Sequence, residues 1–387
     1  MEEWKEYNIK DATSVLGDGI HGTPKYDDAG PVFFINGNNL ENGKIVIKDN
    51  TKRVSLEEAN KYKKPLTERT LFVSINGTLG NVARYNGESC ILGKSACYFN
   101  VKEEFDLDFI YYVVANSEFR REMERLATGT TIKNVSLETM RNYTFYAPSL
   151  DDQKQISSIL KSLDDKIAVN RRINDNLEQQ AQALFKSWFV DFEPFRDQPF
   201  VESELGMIPE GWRVGKLGEL CQFKRGKGLL SKNAIPGDVP VVAGGLGPSC
   251  YHNVSNTKAP VITISGSGAN AGFMRMYHQE VWASDCSFID VTCENWLFVY
   301  CFLAINSHLL KHAQTGAVQP HVKPADIHDF DLVIPPHETI QKFQNTISSF
   351  IRKKGIIEQE SRRLAELRDT LLPRLMSGEI KVGDVTL

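Results

Sequence analysis

The chain carries one long internal duplication, with a period of roughly 190 residues. ILGKSACYFNV from Ile91 aligns with VWASDCSFIDV from Val281, and SINGTLGN from Ser74 with TISGSGAN from Thr263. Asn116-Ser117 matches Asn306-Ser307, each after an apolar, helix-like stretch. TGTTIKNVSLETMRNYTFYAPS from Thr128 faces TGAVQPHVKPADIHDFDLVIPP from Thr315. Identity is low, but order, polarity and turn chemistry persist through both halves. A chain of 387 residues built this way is expected to fold as two similar modules rather than around one core.

Each copy ends in a long amphipathic segment. Ile156, Leu160, Leu163, Ile167, Asn170, Asn174, Leu177, Ala181, Leu184 and Trp188 recur in steps of four and three, a heptad seam with two polar positions in its middle. The second copy offers Ile340, Phe343, Ile347, Phe350, Lys354, Ile357, Ser361, Leu364, Leu371 and Leu375. A stripe this long cannot bury itself, so the two segments are expected to pair antiparallel as a coiled coil, giving the chain a pseudo-twofold axis. A central Asn in such a seam sacrifices stability and fixes register, the role expected of Asn170 and Asn174. The chain then reads as four segments of an α+β protein. Residues 1–150 and 199–336 are mixed αβ regions with short Val/Ile/Phe runs broken by Gly, Asn and Pro. Residues 151–198 and 337–387 are helical.

Composition removes several classes. Hydrophobic residues at 41% and charged residues at 24% are those of a soluble globular chain. The strongest apolar run, Leu297 to Ile305, is about half what a membrane helix needs. The opening MEEWKEYNIK is polar and acidic, unlike a signal peptide. Seven Cys at irregular positions, without CxxC spacing, argue against a disulfide framework or a zinc site and favour a reduced, cytoplasmic setting. The net charge of -4 excludes nucleic-acid binding by bulk charge; a DNA role must rest on local patches.

Catalytic motifs are missing where they would be expected. GSGANAG from Gly266 follows a strand-like run, but FMRMYHQEVW after it reads as strand, whereas a dinucleotide turn opens a helix. No GxxxxGK[ST] loop occurs, HETIQ from His337 lacks the second His of a zinc-protease helix, and IPPHE from Ile334 shares only prolines with an amino-methyltransferase tetrapeptide. No His/Cys/carboxylate cluster has metal-ligand spacing. What remains are polar turns at matching places in the two copies. In the first they hold His21, Thr23, Lys25, Tyr26, Asn76, Thr78, Asn81, Arg84, Thr130, Thr131, Lys133 and Asn134. In the second they hold Lys224, Arg225, Lys227, Ser265, Ser267, Asn270, Arg275, Gln319, His321 and Lys323. Amide and hydroxyl groups suit base edges, and Lys and Arg suit phosphates. Different loop chemistry on one repeated scaffold points to two readers of two different half-sites.

With these residues in place the chain resembles the specificity subunits of type I restriction-modification systems, over essentially its whole length. LGMIPEGWRVGKLGEL from Leu205 resembles the opening of a target recognition domain in that family. TGTTIKNVSLETMRNYTFYAPSLDDQKQI from Thr128 resembles its loop-to-helix junction, KSWFVDFEPF from Lys186 the exit of its central helix, and LRDTLLPRLMSGEI from Leu367 its last helix. The first domain opens at WKEYNIKD without the IPEGW preface.

The resemblance implies a non-catalytic subunit with two tandem αβ target recognition domains separated by the helices, each domain reading one half of a bipartite double-stranded DNA site. It implies two DNA adenine methyltransferase subunits packed on the helices, and two restriction/translocase subunits recruited to that core. S-adenosylmethionine, ATP and Mg would sit on those partners, with the target adenine flipped into the methyltransferase. The competing expectations are a stand-alone nuclease or methyltransferase, and a coiled-coil scaffold for proteins.

Overall fold

The computed structural model describes residues 4–129, 132–316 and 319–385. Contacts divide it into two compact units, Met1–Ala168 with Ser361–Leu387, and Val169–Glu360. The division falls inside the two long helices, Leu150–Phe189 and His337–Met376. Each helix contributes one part to the core of one unit and the rest to the core of the other.

The units repeat one topology. In the first, a four-stranded antiparallel sheet has the order 13–18, 96–101, 70–74, 82–84. In the second the order is 224–225, 286–290, 261–265, 274–277. A smaller sheet accompanies each, built on a parallel pair: Val32–Ile35 beside Cys90–Leu92, and Val239–Val242 beside Trp282–Ala283. The entry strand of each unit closes on its exit strand, Lys5–Asn8 with Thr144–Ala147 and Arg213–Lys216 with Asp331–Ile334. These strands form because their runs are β-branched and aromatic; Thr70–Ser74 and Val261–Ser265 are buried along their whole length. The helix–helix junctions fall at the matched Asn116 and Asn306, and the Asn116 side chain caps the second helix by accepting from Phe119 N–H at 2.7 Å.

One alignment within the duplication needs correcting. Strand pairing sets Ser74 opposite Ala96 and Ser265 opposite Cys286. Ser74 therefore corresponds to Ser265, not to Thr263, and Gly77 to Gly268, with φ of 77° and 78°. A two-residue slip keeps every side chain on its face of the sheet, so polarity alone could not detect it. The 128–135 and 315–322 loops match as aligned, with Gly129 and Gly316 both at φ 97°.

Within the first unit, Ile156, Leu160 and Leu163 share a core with Leu371, Leu372 and Leu375. Within the second, Ala181, Phe185 and Phe189 share one with Ile340, Phe343, Ile347 and Ile351. Here Phe185 and Phe189 replace Leu184 and Trp188 as the buried seam positions, and Ile351 replaces Phe350, which are only partly buried. An α-helix of 3.6 residues per turn drifts about 20° per heptad against a strict seam, and the drift carries the aromatic pair into the core. The buried Phe343 ring lies 5.0 Å from Phe189 and 5.6 Å from Phe185.

Polar groups sit in the same interfaces. In the first unit Tyr112 donates to Asp164 Oδ2 at 2.8 Å and Arg368 to Asp164 Oδ1 at 2.6 Å. In the second, Tyr300 donates to Glu178 Oε1 at 2.7 Å and Lys354 to Oε2 at 2.5 Å. Asn170, 1% exposed, donates to Glu360 at 2.8 Å. From Asn170–Glu360 through Glu178–Lys354 to Phe189–Phe343, numbering rises on one helix as it falls on the other, so the helices run antiparallel within this unit. A second correction concerns cysteine: Cys221 and Cys293 form a disulfide, with Cα atoms 6.1 Å apart. Spacing along the chain could not reveal a pair that the fold brings together.

Burial by itself would raise the Glu178 carboxyl, but the Lys354 ammonium and the Tyr300 and Gln182 hydrogen bonds hold it below its ordinary value of 4.5. A carboxyl lowered on folding stabilises above its unfolded-state value and loses that contribution as pH falls through the folded one. Glu178→Gln should therefore destabilise the protein at pH 7 by roughly 1–3 kcal/mol. Urea denaturation should show the gap between wild type and variant closing as pH falls below 4.5; a gap independent of pH would contradict the assignment.

Candidate nucleic-acid interface

Antiparallel pairing brings alternate connections to one end of each four-stranded sheet. In the first unit this is where strand 70–74 finishes and strand 96–101 starts. The turn after Ser74 is tied there to the 128–134 loop: Gly77 N–H donates to Lys133 C=O at 3.0 Å, and Asn76 Nδ2 donates to Asn134 Oδ1 at 3.2 Å. Ser95 C=O accepts from Ile75 at 2.9 Å, and Ile20 N–H donates to Leu92 C=O at 2.8 Å. The structure thus gathers His21, Asn76, Thr78, Lys133 and Asn134 on one rim; His21 Nε2 lies 2.5 Å from Asp18 Oδ2. Lys133 and Thr78 are exposed. Thr130 and Thr131 lie outside the described residues.

The second unit builds the equivalent rim. Gly268 N–H donates to Pro320 C=O at 3.0 Å, Ser267 bridges to His321, and His321 and Thr315 exchange backbone hydrogen bonds of 2.8 and 2.9 Å. Gly226 N–H donates to Cys286 C=O at 2.8 Å and Lys227 N–H to Ala283 C=O at 2.9 Å. Asp285 accepts from Arg225 on one carboxylate oxygen and from the Ser267 hydroxyl on the other. Asn270 Nδ2 donates to Gly244 C=O at 3.3 Å. Arg225, Lys227, Ser267, Asn270, Gln319 and His321 meet here, and Lys323 follows with its N–H on Asp326 at 2.7 Å. The position of Asn76 in the first unit is held by Ser267 in the second, and that of Asn134 by His321.

Other expected residues lie elsewhere. Arg84 is opposite Leu71, at the far end of its sheet from Ser74. It donates to Asp108 at 2.8 Å and stacks 3.5 Å above the Tyr111 ring, so it braces the helix instead of joining the rim. Ser265 is 3% exposed and points inward. Asn81 ties its turn back, its N–H donating to Ser74 Oγ at 2.8 Å while its Oδ1 accepts from Arg120 at 3.1 Å. Tyr26 bridges Val54 at the edge of the smaller sheet, and Lys25 precedes it. Lys25 N–H donates to Glu58 at 2.9 Å, and the Tyr26 ring sits 5.9 Å from Phe34; exposed Thr23 precedes them. Lys224 pairs with Phe288, one step back from the rim. Arg275, opposite Thr263, reaches Leu246 C=O at 3.0 Å. Sequence reasoning passed over Lys94, Ser95 and Asp285. The alignment of ILGKS with VWASD sets Ser95 against Asp285 in the turn before the central strand, and that pairing was the available signal.

The rims offer hydrogen-bonding groups beside the exposed cations Lys133 and Lys227, while the Arg225 guanidinium is paired with Asp285. GSGANAG leads through the short turn Gly268–Asn270 into strand Met274–Tyr277, so no helix N-terminus faces a phosphate there. Among the described residues no group of three His, Cys, Asp or Glu is placed to hold a metal ion. No helix among them is long and apolar enough to cross a membrane.

Gly268 is a backbone requirement of this rim, since left-handed φ costs a side-chain-bearing residue about 1–2 kcal/mol. Gly268→Val should lower stability by that amount in urea denaturation and speed amide exchange at His321; unchanged exchange would mean the turn does not hold the loop.

The profile of the type I restriction modification DNA specificity domain matches residues 1–179 and 209–367. The chain is 24% identical over 421 aligned positions to the type I restriction enzyme MjaIX specificity subunit of Methanocaldococcus jannaschii, covering 99% of this chain and 95% of that protein. It is 24% identical to the HindI specificity subunit of Haemophilus influenzae, over 70% of this chain and 77% of the other. Among solved structures, the type I restriction-modification S subunit from M. genitalium superposes with a TM-score of 0.57 at 20% identity, covering 97% and 96% of the two chains.

Proposed function

Because the chain belongs to the type I restriction modification DNA specificity family, we propose that it selects the DNA sequence on which a type I complex acts, one half-site per unit. The observation that carries this is the repeated rim: one strand end, one glycine turn and one loop, bearing Asn76 and Asn134 in one unit and Ser267 and His321 in the other. Equivalent placement with different donors and acceptors is what reading two unlike base sequences requires. The two long helices pair as an antiparallel coiled coil and set the spacing. A helix of 40 residues is about 60 Å long, against roughly 34–36 Å for one turn of B-DNA.

The chain itself is non-catalytic in this reading. Two methyltransferase subunits dock on the helices and supply S-adenosylmethionine chemistry to a flipped adenine. Two restriction/translocase subunits use ATP and Mg. The assembly works in the cytoplasm. With a net charge of -4, this chain discriminates bases while its partners carry much of the phosphate contact, so DNA binding by the chain alone should be weak and rise sharply with the methyltransferase.

Selection from a random duplex pool by the chain assembled with methyltransferase subunits should return an asymmetric bipartite consensus. A protein scaffold would return none, and DNA turnover by the pure chain would instead reveal a stand-alone enzyme. Exchanging residues 1–150 for those of another family member should rewrite one half-site alone; a change in both would break the independence of the units. Lys133→Ala should weaken binding evenly across sequences and lower the salt slope by about 1.

A further inference from the structure

The rim of the second unit holds a guanidinium that is exposed and yet fixed. Arg225 ends its short strand opposite Ser287, and its side chain is 45% exposed. Asp285 accepts from Arg225 Nη2 with one oxygen, and its other oxygen takes the Ser267 hydroxyl, which fixes the carboxylate in turn. Beneath the guanidinium lies Gly266, where a Cβ would strike Arg225 Nη1. The backbone is pinned as well, since Gly226 approaches so closely that a Cβ would meet the Ser284 carbonyl. The equivalent positions in the first unit differ. Asp18 stands in place of Arg225 and pairs with His21, and Ser95 stands in place of Asp285 and donates to Asn36 at 2.9 Å. The fork is a feature of one rim.

Two charges of opposite sign in contact present almost no net charge to a distant phosphate, while the hydrogen-bond donors keep their direction. Neutralising a DNA phosphate releases counterions only if the cation is not already paired. An arginine built to hold phosphate gains nothing from a carboxylate beside it; one built to read a base gains a fixed orientation. A planar fork of donors matches guanine O6 and N7 in the major groove, whereas adenine presents a donor at the same place.

We propose that Arg225 is a specificity-determining residue of the second unit, reading one guanine of its half-site, and that Asp285 and Ser267 are positioning residues that aim it. This rests on the DNA-reading function above and names the base class that one rim takes.

The test uses the full chain assembled with its methyltransferase subunits and a random duplex pool. The wild type should select a consensus with a G·C pair at one position of one half-site. Arg225→Ala and Arg225→Lys should each reduce that preference by roughly 10- to 100-fold and leave the other half-site intact, because Lys keeps the charge and loses the fork. Asp285→Asn should broaden the same position, and the salt slope of binding should be the same for Arg225→Ala as for wild type. Retention of the preference by Arg225→Lys would show that charge without the fork suffices, and a fall in the salt slope for Arg225→Ala would show a phosphate contact; either overturns the proposal. So would a consensus unchanged by Arg225→Ala. If the wild type selects no consensus at all, the functional reading fails and takes this proposal with it.

Discussion

An apolar stripe running along a helix of 40 residues has no stable place in water alone, and everything else in this chain is arranged around covering it. The cover is divided. One part of each long helix completes the first unit's core and the rest completes the second's. The first unit joins two stretches of chain, Met1–Ala168 and Ser361–Leu387, while the second is the single stretch Val169–Glu360 and takes in parts of both long helices. Helix pairing and domain folding are therefore one event in each unit, since the same leucines and phenylalanines serve both.

Within that cover, polar groups discriminate among ways of packing. Greasy seams tolerate sliding by a heptad; carboxylates that must meet a cation do not. Asp164 is met by Arg368 and Tyr112, and Glu178 by Lys354 and Tyr300, each joining both long helices to a helix of the recognition region. The carboxylates stand two heptads apart on one helix, and so do the cations on the other. These pairs are half-buried, and a partly desolvated charge left without its partner loses more than an exposed one, so slipping either helix is penalised in both units. These triads bear on register more heavily than the central asparagines, of which Asn170 bonds to Glu360.

How much of this could be read beforehand follows from the physics of each element. The duplication was legible because turn glycines and strand alternation survive where identity does not, and Gly129 and Gly316 share one backbone conformation. The register at Ser74 was not, because a slip by two residues leaves a strand's inward and outward faces unchanged. The seam was legible to Ala181 and then misassigned Leu184 and Trp188 for Phe185 and Phe189, where drift of the helix decides. Arg84 looked like a rim residue because it follows a polar turn; Asp108 and Tyr111, which claim it, come from a helix more than twenty residues away. Asp285 escaped notice because a carboxylate is not what one seeks in a DNA reader.

That last omission bears on the charge of the whole molecule. A protein that held DNA by itself would need cations in excess at its contact surface, and this chain is net acidic. Besides exposed Lys133 and Lys227, its rims use amides, hydroxyls, the imidazoles of His21 and His321 and a compensated guanidinium, and the uncharged groups attract a duplex only within hydrogen-bond range, according to which base edge is met. On the function proposed above, the remaining affinity comes from partner chains whose lysines and arginines grip the backbone without regard to sequence. On that reading, separating the two tasks between chains lets the rims change, residue by residue, without altering how strongly the complex holds DNA.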